Sequence, residues 1–435
     1  MITSLSNRLK SARAGDAGKL SVLMFTAFID MVGALMVIPL LPFYAERLGA
    51  NAFMVMVLVA AFSAMQLLSA PFWGRVSDRY GRKPVLLIGL AASAAAYVVF
   101  AYATSYWLLL LSRLVQGAGG GTVGVLQAYV ADAVGPTKRA RALGWLSAAT
   151  NAGVVLGPAI GSLATRWGPE GPGLLAAGLC LLNTVFAWKY LTESHDTAAR
   201  AKAKHARRPA EIVWRVAWTH RSESASRLIW MYAIGMGAFY GVTAILILLL
   251  NRRYGVCEQN VGFFFTYMGG LSIIIRIFLL GPVVDRLGEA RTSRLGAALL
   301  ATGLALLPFT RPLPLPGLLT YTTLALTVAL LPLGTAFLFP AVTAFLSRVI
   351  GEHERGLYMG VQQTYGGVAR VVYPPLAGLA WDHLGVGVPF WVSAALVAFT
   401  IVLGLHLEAP PALRGTTAEQ AAKAASGERE AAVAD

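Results

Sequence analysis

The chain has 435 residues, of which 57% are hydrophobic and 13% charged, far too little charge to cover the surface of a soluble domain of that length. Its formal net charge of +15 does not read as a nucleic-acid footprint, because the basic residues fall between long apolar runs instead of gathering on one solvated face among aromatics. Two cysteines, Cys180 in an apolar run and Cys257 in a short loop, offer neither a disulfide framework nor a metal-ligand cluster, so no metal and no other cofactor is expected.

Residues 1–19 are polar and basic. The apolar run that follows is too long for the hydrophobic region of a cleavable signal and lacks a small-residue cleavage site, so it reads as a retained first span. A helix needs about 20 mostly apolar residues to cross a ~30 Å hydrocarbon core. On that rule the apolar runs predict spans over 20–42, 53–73, 84–104, 106–128, 142–164, 172–191, 226–250, 260–281, 292–309, 317–346, 358–381 and 388–407. The expected fold class is an all-α membrane protein with twelve transmembrane helices. The polar, basic segment 192–225 exceeds every other loop and divides the chain into six-helix halves, 20–191 and 226–407. The tail, 408–435, is rich in Ala, Glu and Lys and reads as solvated and disordered. With both termini in the cytoplasm, and with Arg227 and Arg294 at the cytoplasmic ends of their spans counted to that side, 27 of the 36 Lys and Arg are cytoplasmic, five lie on the other side and four deeper within spans, as the positive-inside rule requires.

A weak internal repeat joins the halves. Gly74, Asp78, Arg79 and Gly81 after the second span recur at the same spacing as Gly281, Asp285, Arg286 and Gly288 after the eighth. Parallel halves around a midplane cavity are a known transporter plan. Gly74 removes a side chain where two helices would approach closely, and Asp78 is placed to cap a helix N-terminus or pair with an arginine. Asp132, at the end of the fourth span, is a candidate partner for Arg75 or Arg82. In the fifth span Gly153, Gly157 and Gly161 share one helix face and admit a partner backbone, while Pro158 removes a hydrogen bond and predicts a bend.

Three motifs together carry a family resemblance over nearly the whole chain. The loop Gly74-x-x-x-Asp78-Arg79-x-Gly81-Arg82-Lys83, the run Arg113-Leu114-Val115-Gln116-Gly117, and the run from Gly153 through Gly157-Pro158 to Gly161 resemble motifs of the major facilitator superfamily, drug:proton antiporter type. The first-span run from Asp30 to Pro42 is similar to the tetracycline-resistance exporter branch. The resemblance implies that Gly74, Asp78, Arg79, Arg82 and Asp132 form a conformational latch bracing the halves on the cytoplasmic side. It also implies a coupling role for Arg113, and a hinge and seal in the fifth span, where plain helix packing is the other reading of the glycines. The chain departs from that branch in the third span, where Ala96 beside Tyr97 stands in place of an acid.

Charges inside spans are costly and point to function. Of the 21 acids, Asp30 is the one well inside a span, which makes it the candidate proton carrier; the other reading is a structural acid paired with Arg113 or bonded to helix backbone. Arg113 lies too deep to reach water without a cavity. Beside its coupling role stands a plainer one, organising backbone carbonyls. Arg370 lies mid-span near Gln362, Gln363, Tyr365 and Tyr373, with Pro374-Pro375 predicted to break the helix after it. Gln116, Gln127, Tyr240, Tyr267, Gln363 and Arg370 are the candidate cavity residues, with Phe239 as a weaker one. Arg276 fits a cavity or a snorkelling position equally.

The expected function is a secondary active transporter that exports amphipathic, drug-like small molecules by proton antiport and alternating access, with Asp30 and Arg113 as the coupling pair. The alternative is a facilitator or symporter of an organic anion or lysolipid-like amphiphile bound by Arg113 and Arg370. One acid and up to three arginines in a cavity favour anionic, zwitterionic or amphiphilic solutes over simple lipophilic cations. Expected partners are the solute and the lipid bilayer, with the chain a monomer in a bacterial inner membrane. A non-transporting receptor has nothing in its favour, and no nucleophile with its base or phosphate-binding loop suggests an enzyme.

Overall fold

In a computed structural model of the chain the described residues are 16–134, 138–193, 223–313, 321–351, 354–405 and 407, without the side chains of Asp16, Ala17, Lys19 and Ala140. Most of the expected N-terminal segment, residues 194–222 of the expected linker and the whole expected tail lie outside them. The regular structure among the described residues is helical, because in lipid each backbone N–H and C=O must find its partner within its own segment.

The helices are α1 (Asp16–Val37), α2 (Leu41–Arg47), α3 (Ala52–Tyr80), α4 (Arg82–Ala101), α5 (Tyr106–Gly120), α6 (Val123–Ala133), α7 (Arg139–Ala164) and α8 (Gly171–Tyr190). After residue 222 come α9 (Ser224–Tyr254), α10 (Glu258–Ile274), α11 (Leu280–Leu306), α12 (Thr322–Val349), α13 (Arg355–Leu384) and α14 (Val388–Leu405). Local sequence sets their ends. The Asn51 side chain accepts from the Met54 N–H at 2.9 Å to start α3, and Gly255, left-handed at φ 62°, stops α9.

Among the described residues ten stretches are long and apolar enough to cross a membrane. The expected twelve differ from these at two places. Glu258–Phe309 counts as one 52-residue rod, yet Gly288 within it has φ 73° and ψ 164°, which breaks it into two helices. Arg355–Leu384, with 30 residues, is long enough but carries Gln362, Gln363 and Arg370 among its apolar residues.

Several expected boundaries are corrected. The loop after the second span is not a loop: α3 runs through Gly74, Asp78 and Arg79 to Tyr80, and only Gly81, at φ 101°, turns the chain. Its residues satisfy one another helically, and a reversal needs a single glycine. The Pro374-Pro375 pair does not end α13; Pro158, expected to bend its span and not to end it, lies inside α7. Neighbouring helices hold a proline-bearing membrane helix together despite the lost N–H bonds.

α1 packs on α7 and α8, α3 on α5, and α4 on α5 and α8. Beyond residue 222, α9 packs on α12, α13 and α14, and α11 on α12 and α14. The two groups meet along α3 with α13 and along α7 with α10. Their contacts concentrate at the end carrying Arg47 and Asp382, termed distal here. There Arg47 pairs with Glu258 at 2.6 Å, and the Asp382 carboxylate accepts from the backbone N–H groups of Ala52 (3.3 Å) and Phe53 (2.9 Å) at the start of α3. Ser162 donates to the Glu258 carbonyl at 2.6 Å and accepts from the Gly262 N–H at 2.8 Å.

Glycines make these approaches possible. A Cβ at Gly262 would collide with the carbonyl of Pro158, and one at Gly378 would stand 2.7 Å from the Phe53 Cα. Towards the other, proximal end the lateral contacts reach Gly367 against Leu67 and Gly269 against Val155. Beyond them, a Cβ at Gly74, Gly281, Gly356 or Gly360 would meet nothing within 4 Å. Among the described residues the structure is thus closed distally and open proximally.

The Asp382 contact couples distal closure to one carboxylate. Hydrogen bonds to an ionised group contribute about 1.5–3 kcal/mol each, so Asp382→Ala is expected to shift the closed-to-open ratio about tenfold or more towards open. Labelling of Cys257 by a water-soluble maleimide in purified protein, with buried Cys180 as reference, checks this. An unchanged rate removes Asp382 from the closure.

Candidate functional site

The intramembrane polar residues of α1–α8 collect around Tyr97. Arg113 on α5 is 1% exposed; its guanidinium stands 5.3 Å from the Phe100 ring centre, touches Ser112 Oγ at 3.5 Å, and leaves Nη2 without a hydrogen-bond partner. One turn on, Gln116 donates to the Tyr97 hydroxyl, and its Oε1 is buried and unpartnered. Tyr97 on α4 lies within electrostatic reach of Asp30, Arg113 and Cys180. A Cβ at Gly33, one turn from Asp30, would touch Cys180 Sγ at 3.4 Å and the Tyr97 ring at 3.7 Å, so α1 approaches Tyr97 closely because position 33 is glycine.

Asp30 and Arg113 form no ion pair among those described. Each lies within electrostatic reach of Tyr97 instead, which sets aside the reading of Asp30 as permanently salt-bridged to Arg113. Reasoning from charges passes over a tyrosine, although its place beside Ala96, itself fully buried, was the available signal. The fifth-span glycines have a definite partner. Cβ atoms at Gly153 and Gly157 would stand 2.7 Å and 2.8 Å from the carbonyls of Phe28 and Val32, and one at Gly161 would collide with that of Met36. Their face therefore clamps α1 on both sides of Asp30. The neighbouring face, with Val155, Pro158 and Ser162, meets α10, where Thr266 donates to the Val155 carbonyl at 2.8 Å.

The expected cavity residues of the second group only partly gather. The Arg370 guanidinium stands 5.4 Å from the Tyr240 ring centre, with Nε buried and unpartnered. The Tyr232 hydroxyl donates to Gln363 Oε1 at 3.1 Å. Gln362, fully buried, accepts from Thr343 at 3.3 Å. Tyr267 lies apart, exposed and bonded to the Ala325 carbonyl at 3.2 Å, and Gln127 is exposed on α6; neither joins the Arg370 cluster. Phe239 stacks edge-on with Tyr240. Arg276 is exposed within a π-helical turn, Ile275–Leu279. A shallow distal pocket of about 470 Å³ is lined by Phe43, Glu46, Arg47, Cys257, Glu258 and Gln259, remote from the mid-span charges.

At the proximal end Arg82 binds Asp78 (2.9 Å), Asp132 (3.3 Å) and the Ser77 hydroxyl (2.5 Å). Arg75 donates instead to the Pro71 carbonyl at 3.2 Å. All these contacts lie within α1–α8. Gly74 stands in open space and Arg79 lies over the Tyr80 ring, so the expected close approach at Gly74 is absent here, because nothing in the described residues comes within 4 Å of a Cβ placed there. Glu193, outside the sequence expectations, caps α4: its carboxylate accepts from the N–H groups of Arg82 (2.9 Å) and Lys83 (3.1 Å). The second group carries a charge-reversed copy. Glu289 follows Gly281 at the spacing of Arg82 from Gly74, and it pairs with Arg348 at 2.7 Å. Arg348 follows Ser347, whose carbonyl accepts from Arg355 (2.7 Å), as Asp132 follows Ala131, whose carbonyl accepts from Arg139 (3.0 Å).

Among the described residues no group of His, Cys, Asp and Glu is arranged to hold a metal ion. The family model described as Major Facilitator Superfamily matches residues 23–321 and 277–433. Multidrug resistance protein 2 of Bacillus subtilis is 27% identical over 397 residues, covering 89% of this chain and 93% of that protein. The class B tetracycline resistance protein of Escherichia coli is 25% identical over 412 residues, covering 92% and 98%. A solved human organic anion transporter superposes with a TM-score of 0.65 at 22% identity, covering 90% of this chain and 99% of the other. The nucleoside transporter NupG gives 0.71 at 14% over 90% and 99%. At these identities the structural likeness is one of fold.

The Gly81 joint is the strained point of the proximal end. Its φ of 101° and ψ of 162° are all but closed to other residues, and an added Cβ would stand 2.6 Å from Glu193 Oε2. Gly81→Ala is expected to destabilise the purified protein by about 1–3 kcal/mol, read as a lowered unfolding midpoint by tryptophan fluorescence. An unchanged midpoint would mean that the joint relaxes elsewhere.

Proposed function

Because the chain belongs to the Major Facilitator Superfamily, we propose that it is a secondary active transporter that exports amphipathic small molecules by proton antiport. The observation that carries this reading is the cluster of Asp30, Tyr97, Arg113 and Gln116, held inside the spans with two polar atoms unpartnered. Relatives named for multidrug and tetracycline resistance support the solute class.

Asp30 carries the proton. In the proximally open state, solute entering from the cytoplasm displaces it, and Arg113, acting across Tyr97, balances the carboxylate that remains. The groups then rock about the contacts nearer mid-span, Gly269 with Val155 and Gly367 with Leu67: the Arg47–Glu258 and Asp382 contacts part, together with the glycine contacts beneath them, and the proximal ends close. Solute leaves distally, Asp30 takes up a proton there, and the neutral carboxyl crosses back at low cost. The clamp of α7 on α1 fixes Asp30 while the other face of α7 moves against α10. Arg82, Asp78 and Asp132 keep the proximal end of the first group rigid for docking with the second. The distribution of Lys and Arg supports cytoplasmic termini, hence a distal end facing outward. Twelve spans, a bacterial inner membrane and a monomeric chain complete the proposal.

Proton release tests it. Addition of a panel of cationic, zwitterionic and anionic amphiphiles to weakly buffered, detergent-solubilised protein is expected to release protons, and Asp30→Asn is expected to abolish the release. Wild-type transport by Asp30→Asn up a proton gradient would end the antiport reading; tight binding of anions without a proton signal would turn it into an anion carrier.

A further inference from the structure

Resting on the transporter reading, we propose that the exported solute carries an acidic group and that Arg370 is the cation that receives it, with Tyr240 and Tyr232 packing its apolar body. The charge balance inside the spans is the starting point. Arg113 and Arg370 lie deep in the spans against one carboxyl, Asp30, while Lys189 and Arg276 are exposed on their helices, and none of these five residues joins any of the described ion pairs. A desolvated guanidinium without a counter-charge is costly. Arg113 has its own surroundings of Phe100, Ser112 and Tyr97 within the first group. Arg370 has the face of Tyr240 and a buried, unpartnered Nε.

Its place in the fold directs it to the solute path. One turn before it, Gly366 lies against Tyr232 of α9, where a Cβ would stand 2.6 Å from the ring, and Gly367 lies against Leu67 of α3, where a Cβ would stand 2.9 Å away. Residue 370 therefore stands where α13 meets both its own group and the other, at the level where lateral contact between the groups ends. Within a further two turns, exposed Gln363 accepts from Tyr232 through Oε1 and keeps its amide N–H groups to donate. A planar guanidinium edge with an amide donor nearby suits a carboxylate or another oxyanion, and the aromatic faces of Tyr240, Tyr232 and Phe339, the last two 5.5 Å apart, suit an apolar or aromatic body. A lipophilic cation would meet a like charge here.

The test uses three probes with one apolar body, 1-naphthylacetate, 1-naphthylmethylammonium and 1-naphthylmethanol, titrated onto the full chain in phosphatidylcholine nanodiscs without a proton gradient. Naphthylacetate is expected to bind about tenfold or more tighter than the ammonium or the alcohol. Arg370→Gln is expected to erase that preference and Arg370→Lys to keep part of it, so that a folded, charged variant controls for misfolding. Equal affinity for acetate and ammonium in the wild type, or an undiminished preference in Arg370→Gln, overturns the proposal. So does competition by added phosphatidylglycerol that is lost in Arg370→Gln, which would make the site one for a lipid headgroup. Because binding is read without protons, a carboxylate preference without proton release would sink antiport and leave this assignment standing.

Discussion

Backbone-to-backbone contact between helices, admitted by glycine, is the constraint on which this architecture rests. Lipid supplies no hydrophobic drive for helix association, so close packing has to come from surfaces that let main chains meet. Gly153, Gly157 and Gly161 set α7 against the carbonyls of α1, Gly262 sets α10 against Pro158, and Gly378 sets α13 against the start of α3. One helix, α7, thus has two glycine-dependent contacts on adjacent faces. The first is permanent packing within a group and holds Asp30 in register. The second lies between groups, where polar contacts through Ser162 and Thr266 accompany it.

Charge is distributed by the same logic. At the proximal end several charges among the described residues have a counter-charge or a helix terminus: Arg82 with Asp78 and Asp132, Glu193 with the α4 N-terminus, Glu289 with Arg348. The reversal of sign between Arg82–Asp132 and Glu289–Arg348 keeps the brace in each group while its polarity is free to differ, as expected when the pairing and not the sign fixes the geometry. Mid-span, by contrast, Asp30, Arg113 and Arg370 stand unpaired among those ion pairs, next to tyrosines and amides. Polar groups left incomplete where completion is most valuable are what the proposed antiport would use.

Distal closure rests on a few exchangeable contacts. The Arg47–Glu258 pair, half-exposed on its Arg47 side, and the exposed Asp382 carboxylate on two backbone N–H groups lie at an end of the helices where parting groups can be taken up by water. The glycine contacts beneath them give a dry, close-fitting seal whose loss is gradual in energy, which suits surfaces that separate and re-form.

The fold class was legible from apolar run length, because lipid imposes that length on the sequence directly. The repeat was legible too, down to the paired joints at Gly81 and Gly288, since a backbone with positive φ requires glycine. Asp30, Arg113 and Arg370 could be singled out because a mid-span charge is conspicuous. The sequence did not disclose that Tyr97 lies within reach of both Asp30 and Arg113, that Glu193 and Asp382 cap helices more than a hundred residues away, that Glu289–Arg348 mirrors Arg82–Asp132, or that the glycine face of α7 clamps α1. Nor did it disclose which end is closed. Periodicity and composition act along the chain, whereas these contacts depend on the distance between helices far apart in sequence, and only tertiary packing sets that distance.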